Sequence, residues 1–131
     1  MKKKVLCFAF AMIMMMVSLP VAFAAEPVPF KKDKVTGGPS QIVSEDVCER
    51  KEPNSMDVHI TYLNFNGQKE FRFSGYDVVT GKLCTKKMEI FKTGYRGAKY
   101  TSSQTTYAYM KMSIKSGNTN DVLYFNGKYA I

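Results

Sequence analysis

Asp57-Val-His-Ile-Thr-Tyr-Leu-Asn-Phe-Asn-Gly-Gln-Lys-Glu-Phe-Arg-Phe-Ser-Gly-Tyr-Asp77 contains two runs rich in aromatic and β-branched residues on either side of Asn66-Gly67. That dipeptide suits a two-residue turn with φ > 0 at both central positions, so the stretch reads as a β-hairpin. The register this implies sets Phe65 opposite Gln68, Leu63 opposite Glu70, Tyr62 opposite Phe71 and Ile60 opposite Phe73. Side chains alternate with period two, which places Val58, Ile60, Tyr62, Phe71 and Phe73 on one buried face. His59, Thr61, Glu70, Arg72 and Ser74 fall on the other, mostly wet face, with Leu63 and Phe65 near the turn.

Further along, Thr105–Lys115 is the cleanest long strand. Thr106, Ala108, Met110, Met112 and Ile114 form its apolar face, and Thr105, Tyr107, Tyr109, Lys111, Ser113 and Lys115 its polar one. Leu83–Lys92 alternates less cleanly, because Lys86 interrupts the apolar side; this is the pattern of a strand near a sheet edge. A second Asn-Gly, Asn126-Gly127, predicts a second hairpin with Lys128–Ile131 as its return strand. Gln41–Glu52 reads as a strand or irregular segment pinned by Cys48. About seven short strands, frequent turn signals and no helical periodicity predict an all-β fold. The expected architecture is a small antiparallel β-sandwich or barrel, immunoglobulin-like in general plan, though without the tryptophan of true immunoglobulin domains.

Outside the β pattern, the chain opens with Met-Lys-Lys-Lys, runs apolar from Val5 to Leu19, breaks at Pro20 and reaches Ala22-Phe23-Ala24. A basic start, an apolar stretch too short to span a membrane with comfort, and small residues at −3 and −1 predict a secretory signal peptide over residues 1–24. The expected localisation is therefore secreted or extracytoplasmic, with no membrane span after cleavage. Residues 25–40 hold three prolines and a Lys31-Lys32-Asp33-Lys34 run, and read as an extended, mobile N-terminal arm. Residues 41–131 form a single β domain.

The formal net charge is +8, and loss of Lys2, Lys3 and Lys4 with the leader leaves +5. That bias favours anionic partners but also serves solubility. Two cysteines remain after cleavage, Cys48 and Cys84. An even count in an exported chain predicts a disulfide, which would close a loop of about 37 residues and add roughly 3–4 kcal/mol.

The sequence supports no catalytic reading. His59, Glu70 and Arg72 share the wet face of the predicted hairpin, the residue types that small secreted nucleases pair in catalysis. Glu70, however, lies opposite Leu63, roughly 13 Å along the strand from His59, too far for both to reach one scissile bond. One histidine and scattered carboxylates give no metal site, no nucleophile has a base beside it, and no cofactor motif is present. A binding surface is better supported. Tyr107, Tyr109, Lys111 and Lys115 line the outer face of the Thr105–Lys115 strand, and Tyr95, Arg96, Lys99 and Tyr100 approach from the preceding loop. Tyrosines offer flat amphipathic area at low entropic cost, and interleaved cations attract phosphate or carboxylate. The expected function is a non-catalytic binding module at or outside the cell surface. Its partner would be a cell-envelope polymer, a glycan or a protein receptor, with nucleic acid disfavoured. A secreted antibacterial or toxin-like effector and the small secreted nuclease are the alternatives.

Overall fold

The computed structural model describes residues 25–67, 70–115 and 118–131. The predicted signal peptide lies outside the described residues, as do Gln68, Lys69, Ser116 and Gly117. The described residues form ten strands: β1 (Val28–Pro29), β2 (Lys34–Thr36), β3 (Gln41–Ile42), β4 (Cys48–Glu49), β5 (Ser55–Asn66), β6 (Phe71–Asp77), β7 (Met88–Ile90), β8 (Gly94–Lys99), β9 (Tyr107–Ile114) and β10 (Val122–Ala130). All pairings are antiparallel, and they make two sheets. Among the described residues no helix is long and apolar enough to cross a membrane.

β1 and β2 both pair with β10, on the edge opposite β5, and so make one interrupted strand; β3 and β4 do the same against β9. Counted as eight columns in chain order, the first sheet runs 1-8-3-6 and the second 2-7-4-5. This is the connectivity of a double-sheet jelly roll, in which two Greek keys interleave. It differs from the immunoglobulin plan expected from sequence, where the first two strands are neighbours in one sheet. Here they lie in different sheets.

The same connectivity corrects the hairpin. β5 pairs with β10 and β8, whereas β6 pairs with β9 and β7, so the Asn66-Gly67 connection carries the chain from one sheet to the other. The predicted partners Tyr62–Phe71 and Ile60–Phe73 do not meet across a ladder. Tyr62 is half exposed, while Val58 and Ile60 are fully buried. The parity changes because the β5–β10 register shifts: Asn126 faces Tyr62 and Gly127 faces Ile60, leaving Thr61 as an extra, bulged residue. Beyond that bulge Leu63 and Phe65 turn toward the core instead of Tyr62.

Asn126-Gly127 is likewise not a turn. β10 runs through it to Ala130 without reversal, and Tyr129, Ala130 and Ile131 are buried. Glycine is needed there for close approach, since a Cβ on Gly127 would lie 2.0 Å from the His59 carbonyl oxygen.

β9 spans Tyr107–Ile114, with Ala108, Met110, Met112 and Ile114 buried as the alternation predicts; at its start the pattern fails, because Thr106 is exposed and Thr105 is buried ahead of the strand. The four buried β9 side chains meet Phe71, Phe73 and Ile90 of their own sheet and Met56, Val58, Ile60, Leu123 and Phe125 of the other. Each large side chain buried in this way contributes about 1.5–3 kcal/mol. The N-terminal arm is extended, as expected, but it is an edge strand of the first sheet. Val35 is fully buried, and Phe30 packs edge-on to Phe125 at 5.2 Å and against Tyr129 at 5.4 Å.

Cys48 and Cys84 are free thiols, which corrects the predicted disulfide. Cys48 pairs with Ala108 on the outer side of β9, and Cys84 N donates to Gly75 O on the far side of β6. Two strands at a spacing of about 4.8 Å stand between them, whereas a disulfide needs Cα atoms within about 7 Å. Burial pushes both thiols above the ordinary cysteine range, which lowers the thiolate fraction of each. Melting a chain of residues 25–131 with and without dithiothreitol is accordingly expected to give the same Tm, and thiol titration of the same chain unfolded to give two groups. A reductant-dependent fall in Tm would contradict this arrangement.

Candidate functional site

The outer face of the second sheet is built by β6 and β9. Their register brings Tyr76 opposite Tyr109, Ser74 opposite Lys111 and Arg72 opposite Ser113. The Tyr76 and Tyr109 rings stack with centroids 5.7 Å apart and planes inclined by 17°. Lys111 Nζ stands 4.7 Å from the Tyr76 centroid and 5.7 Å from that of Tyr109, a cation–π arrangement that fixes the ammonium over the pair. Tyr107 continues the row and is 43% exposed.

Beside these rings runs a groove of about 260 Å³, lined by Arg72, Ser74, Tyr76, Lys87, Ser113 and Lys115. Arg72 Nε lies 3.3 Å from Glu89 and Lys115 Nζ 2.6 Å from Glu70. Partly exposed pairs of this kind add little stability, but they hold two cationic side chains along the groove wall. The groove thus offers stacked aromatic area, hydroxyls and cations over one continuous surface.

Of the residues predicted from sequence, Tyr107, Tyr109, Lys111 and Lys115 come together here. Tyr95, Arg96 and Lys99 do not join them, because they belong to β8 at the edge of the first sheet. Tyr95 and Lys99 share the outer side of that sheet with His59, and Tyr95 stacks on the His59 ring at 3.9 Å. Arg96 Nη1 donates to the Tyr95 carbonyl at 2.6 Å. Tyr100 is a packing residue: its ring is half-buried against the core beneath the Arg50 guanidinium, and burial pushes its phenol well above the usual range.

His59 and Arg72, placed on one hairpin face by the predicted register, occupy different sheets whose outer faces point away from each other. Sequence reading missed Tyr76 and the groove role of Arg72, since both depend on β6 pairing with β9. The signal available was the exposed-face alternation Arg72, Ser74, Tyr76 matching Tyr109, Lys111, Ser113.

A larger recess of about 400 Å³ sits at the end of the second sheet, among Asp77, Val79, Leu83, Cys84, Thr105 and Tyr107. Its carboxylate serves the turn. Asp77 Oδ1 accepts from Thr80 N at 2.7 Å and Thr80 Oγ1 at 2.9 Å, and these bonds hold its carboxyl below the usual range. Near the N-terminal edge, Tyr129 Oη accepts the Glu45 N–H at 3.1 Å, and burial pushes this phenol up to about 12. No group of three or more metal-ligating side chains is gathered among the described residues.

The chain matches no family model, no curated protein and no solved structure. Fold and surface together define an all-β sandwich with an aromatic, cationic groove on one sheet.

Proposed function

We propose that this protein is an exported, non-catalytic binding module that takes an anionic polymer or glycan of the cell envelope on the outer face of its second sheet. The observation that carries this reading is the stacked Tyr76–Tyr109 pair under Lys111, continuous with the groove of Arg72, Lys87 and Lys115. Ring faces of sugars pack on tyrosine faces, while hydroxyls and cations fix orientation and charge. Strand-borne side chains are also pre-ordered, which lowers the entropy lost on binding.

The test is co-sedimentation of the exported protein with isolated cell envelopes at low and high salt. Retention is expected and should weaken as salt rises, because the cations contribute through screened attraction. Replacing Tyr107, Tyr109 and Lys111 together with serine should weaken retention by tenfold or more, roughly the loss of one or two hot-spot contacts. Tyr95→Ser, on the other sheet, should leave it unchanged. Wild-type retention by the triple variant would move the site elsewhere.

A further inference from the structure

The first described residue, Ala25, donates its backbone nitrogen to Glu52 Oε1 at 2.6 Å. Glu52 is 5% exposed and lies in the segment between β4 and β5. The same segment receives residue 131, for Lys51 N and Glu52 N donate to Ile131 O at 2.6 and 3.1 Å. Arg50 Nε, donating to Glu52 O at 3.1 Å, braces the segment from below. Glu52 is therefore held in place by its backbone, with its carboxylate directed at the Ala25 nitrogen.

A carboxylate so far from water is costly unless a cation or several donors oppose it. Among the described residues the donor supplied to it is that one nitrogen. As a peptide N–H, the nitrogen is a single neutral donor. As a free α-amino group it would be a cation at neutral pH with three donors. Directly before it stands Ala22-Phe23-Ala24, with small residues at −3 and −1 of the same bond. A sequence pattern and a buried carboxylate, neither derived from the other, converge on one atom.

We infer that hydrolysis of the Ala24–Ala25 bond is a maturation step for this fold, and that Glu52 is the receptor for the amino terminus it creates. Water adds its hydroxyl to the Ala24 carbonyl carbon and its remaining proton to the Ala25 nitrogen as the C–N bond breaks; the new Ala24 carboxyl then ionises, and the proton it releases converts the Ala25 amine to an ammonium facing Glu52. In the precursor the carboxylate faces a neutral amide; in the mature protein it faces an ammonium. The consequence reaches the sheet. β1 begins three residues later and pairs Val28 with Tyr129 and Pro29 with Lys128, so an anchored Ala25 holds the strand that covers the open edge of β10. This inference rests on the export reading and is independent of the binding face.

The test begins with the full-length chain expressed in a secreting host and the mass of the exported product. A product starting at Ala25 is expected. A different amino terminus overturns the inference, and an uncut chain overturns the export reading with it. The purified product is then acetylated at its α-amino group, at a pH where lysines stay protonated, which restores a neutral amide opposite Glu52. Its Tm is expected to fall by about 5 °C, while envelope retention stays unchanged. In Glu52→Gln, exported from the same full-length chain, acetylation should shift Tm far less. A native protein whose Tm is indifferent to acetylation, or an equal fall in both proteins, overturns the pairing. The acetylation arm needs only the native protein, so it decides the matter even if the glutamine variant fails to accumulate.

Discussion

Gly127→Ala is expected to destabilise the domain by about 3 kcal/mol or more, among the largest single-residue effects. The reason is backbone against backbone. A Cβ at this position would lie 2.0 Å from His59 O, 3.0 Å from His59 C and 3.1 Å from Ile60 Cα, and no side-chain rotation relieves any of these. Gly127 also has φ +155°, a conformation L-residues rarely adopt. Relief would require β10 to part from β5, and that pairing extends from Val122 to Ala130. It would also undo the bulge at Thr61 that lets Val58 and Ile60 on one side, and Leu63 and Phe65 on the other, share a single core. Urea unfolding should show the loss, and thermal melting should show a fall of more than about 12 °C. Gly81→Ala provides the comparison: its φ is +66° with nothing within 4 Å of the added Cβ, so the expected cost is only the conformational one, about 1 kcal/mol. If Gly127→Ala unfolds within 1 kcal/mol of wild type, the register of β5 on β10 is not as described.

That glycine also marks where sequence reading stopped being sufficient. The period-two alternation of Thr105–Lys115 made β9 legible, together with its inward Ala108, Met110, Met112 and Ile114 and its outward tyrosines and lysines, because every relevant contact is set by one strand's own pleat. Val58 and Ile60 were legible for the same reason. Tyr62 was not. The residue that reverses its direction is an unpaired Thr61, whose cause lies more than sixty positions away in β10. Asn66-Gly67 and Asn126-Gly127 show the same limit. The local chemistry permits a tight turn at both, but whether the flanking strands pair is decided by what else competes for their edges. β10 takes the edge of β5 that the hairpin would have needed, and His59 takes the space at Gly127. An even cysteine count failed for a related reason, since parity carries no information about the two strands standing between Cys48 and Cys84. Half of the candidate site could be read from β9 alone. The remainder, Tyr76 and Arg72, required knowing that β6 is β9's neighbour.

Arg50→Ala is expected to cost about 2–3 kcal/mol, although Arg50 belongs to neither the core cluster nor the outer face. It lies just beyond β4, where the chain is about to cross from the second sheet to the first. Its guanidinium reaches the other crossing, between β8 and β9. Nη1 donates to Ser102 O at 3.0 Å and to Thr105 O at 3.4 Å. Nε donates to Glu52 O at 3.1 Å, and Nη2 donates to Pro53 O. The Cζ atom sits 3.8 Å above the centre of the Tyr100 ring. Backbone bonds join the same two segments, with Arg50 N donating to Thr106 O at 2.8 Å and Tyr100 N to Asn54 O at 3.0 Å. One planar cation therefore caps four carbonyls and covers one aromatic face where the two crossings meet. Water can reach part of this set once the side chain is gone, which keeps the loss below that of a buried ion. Arg50→Lys should recover less than half of it, because an ammonium on a flexible stem cannot present the fork that these carbonyls share. Lys115→Ala, which breaks the exposed pair with Glu70, should cost no more than about 1 kcal/mol. The ordering is decisive: if lysine restores full stability at position 50, the contribution is charge alone, and the guanidinium does not join the two crossings.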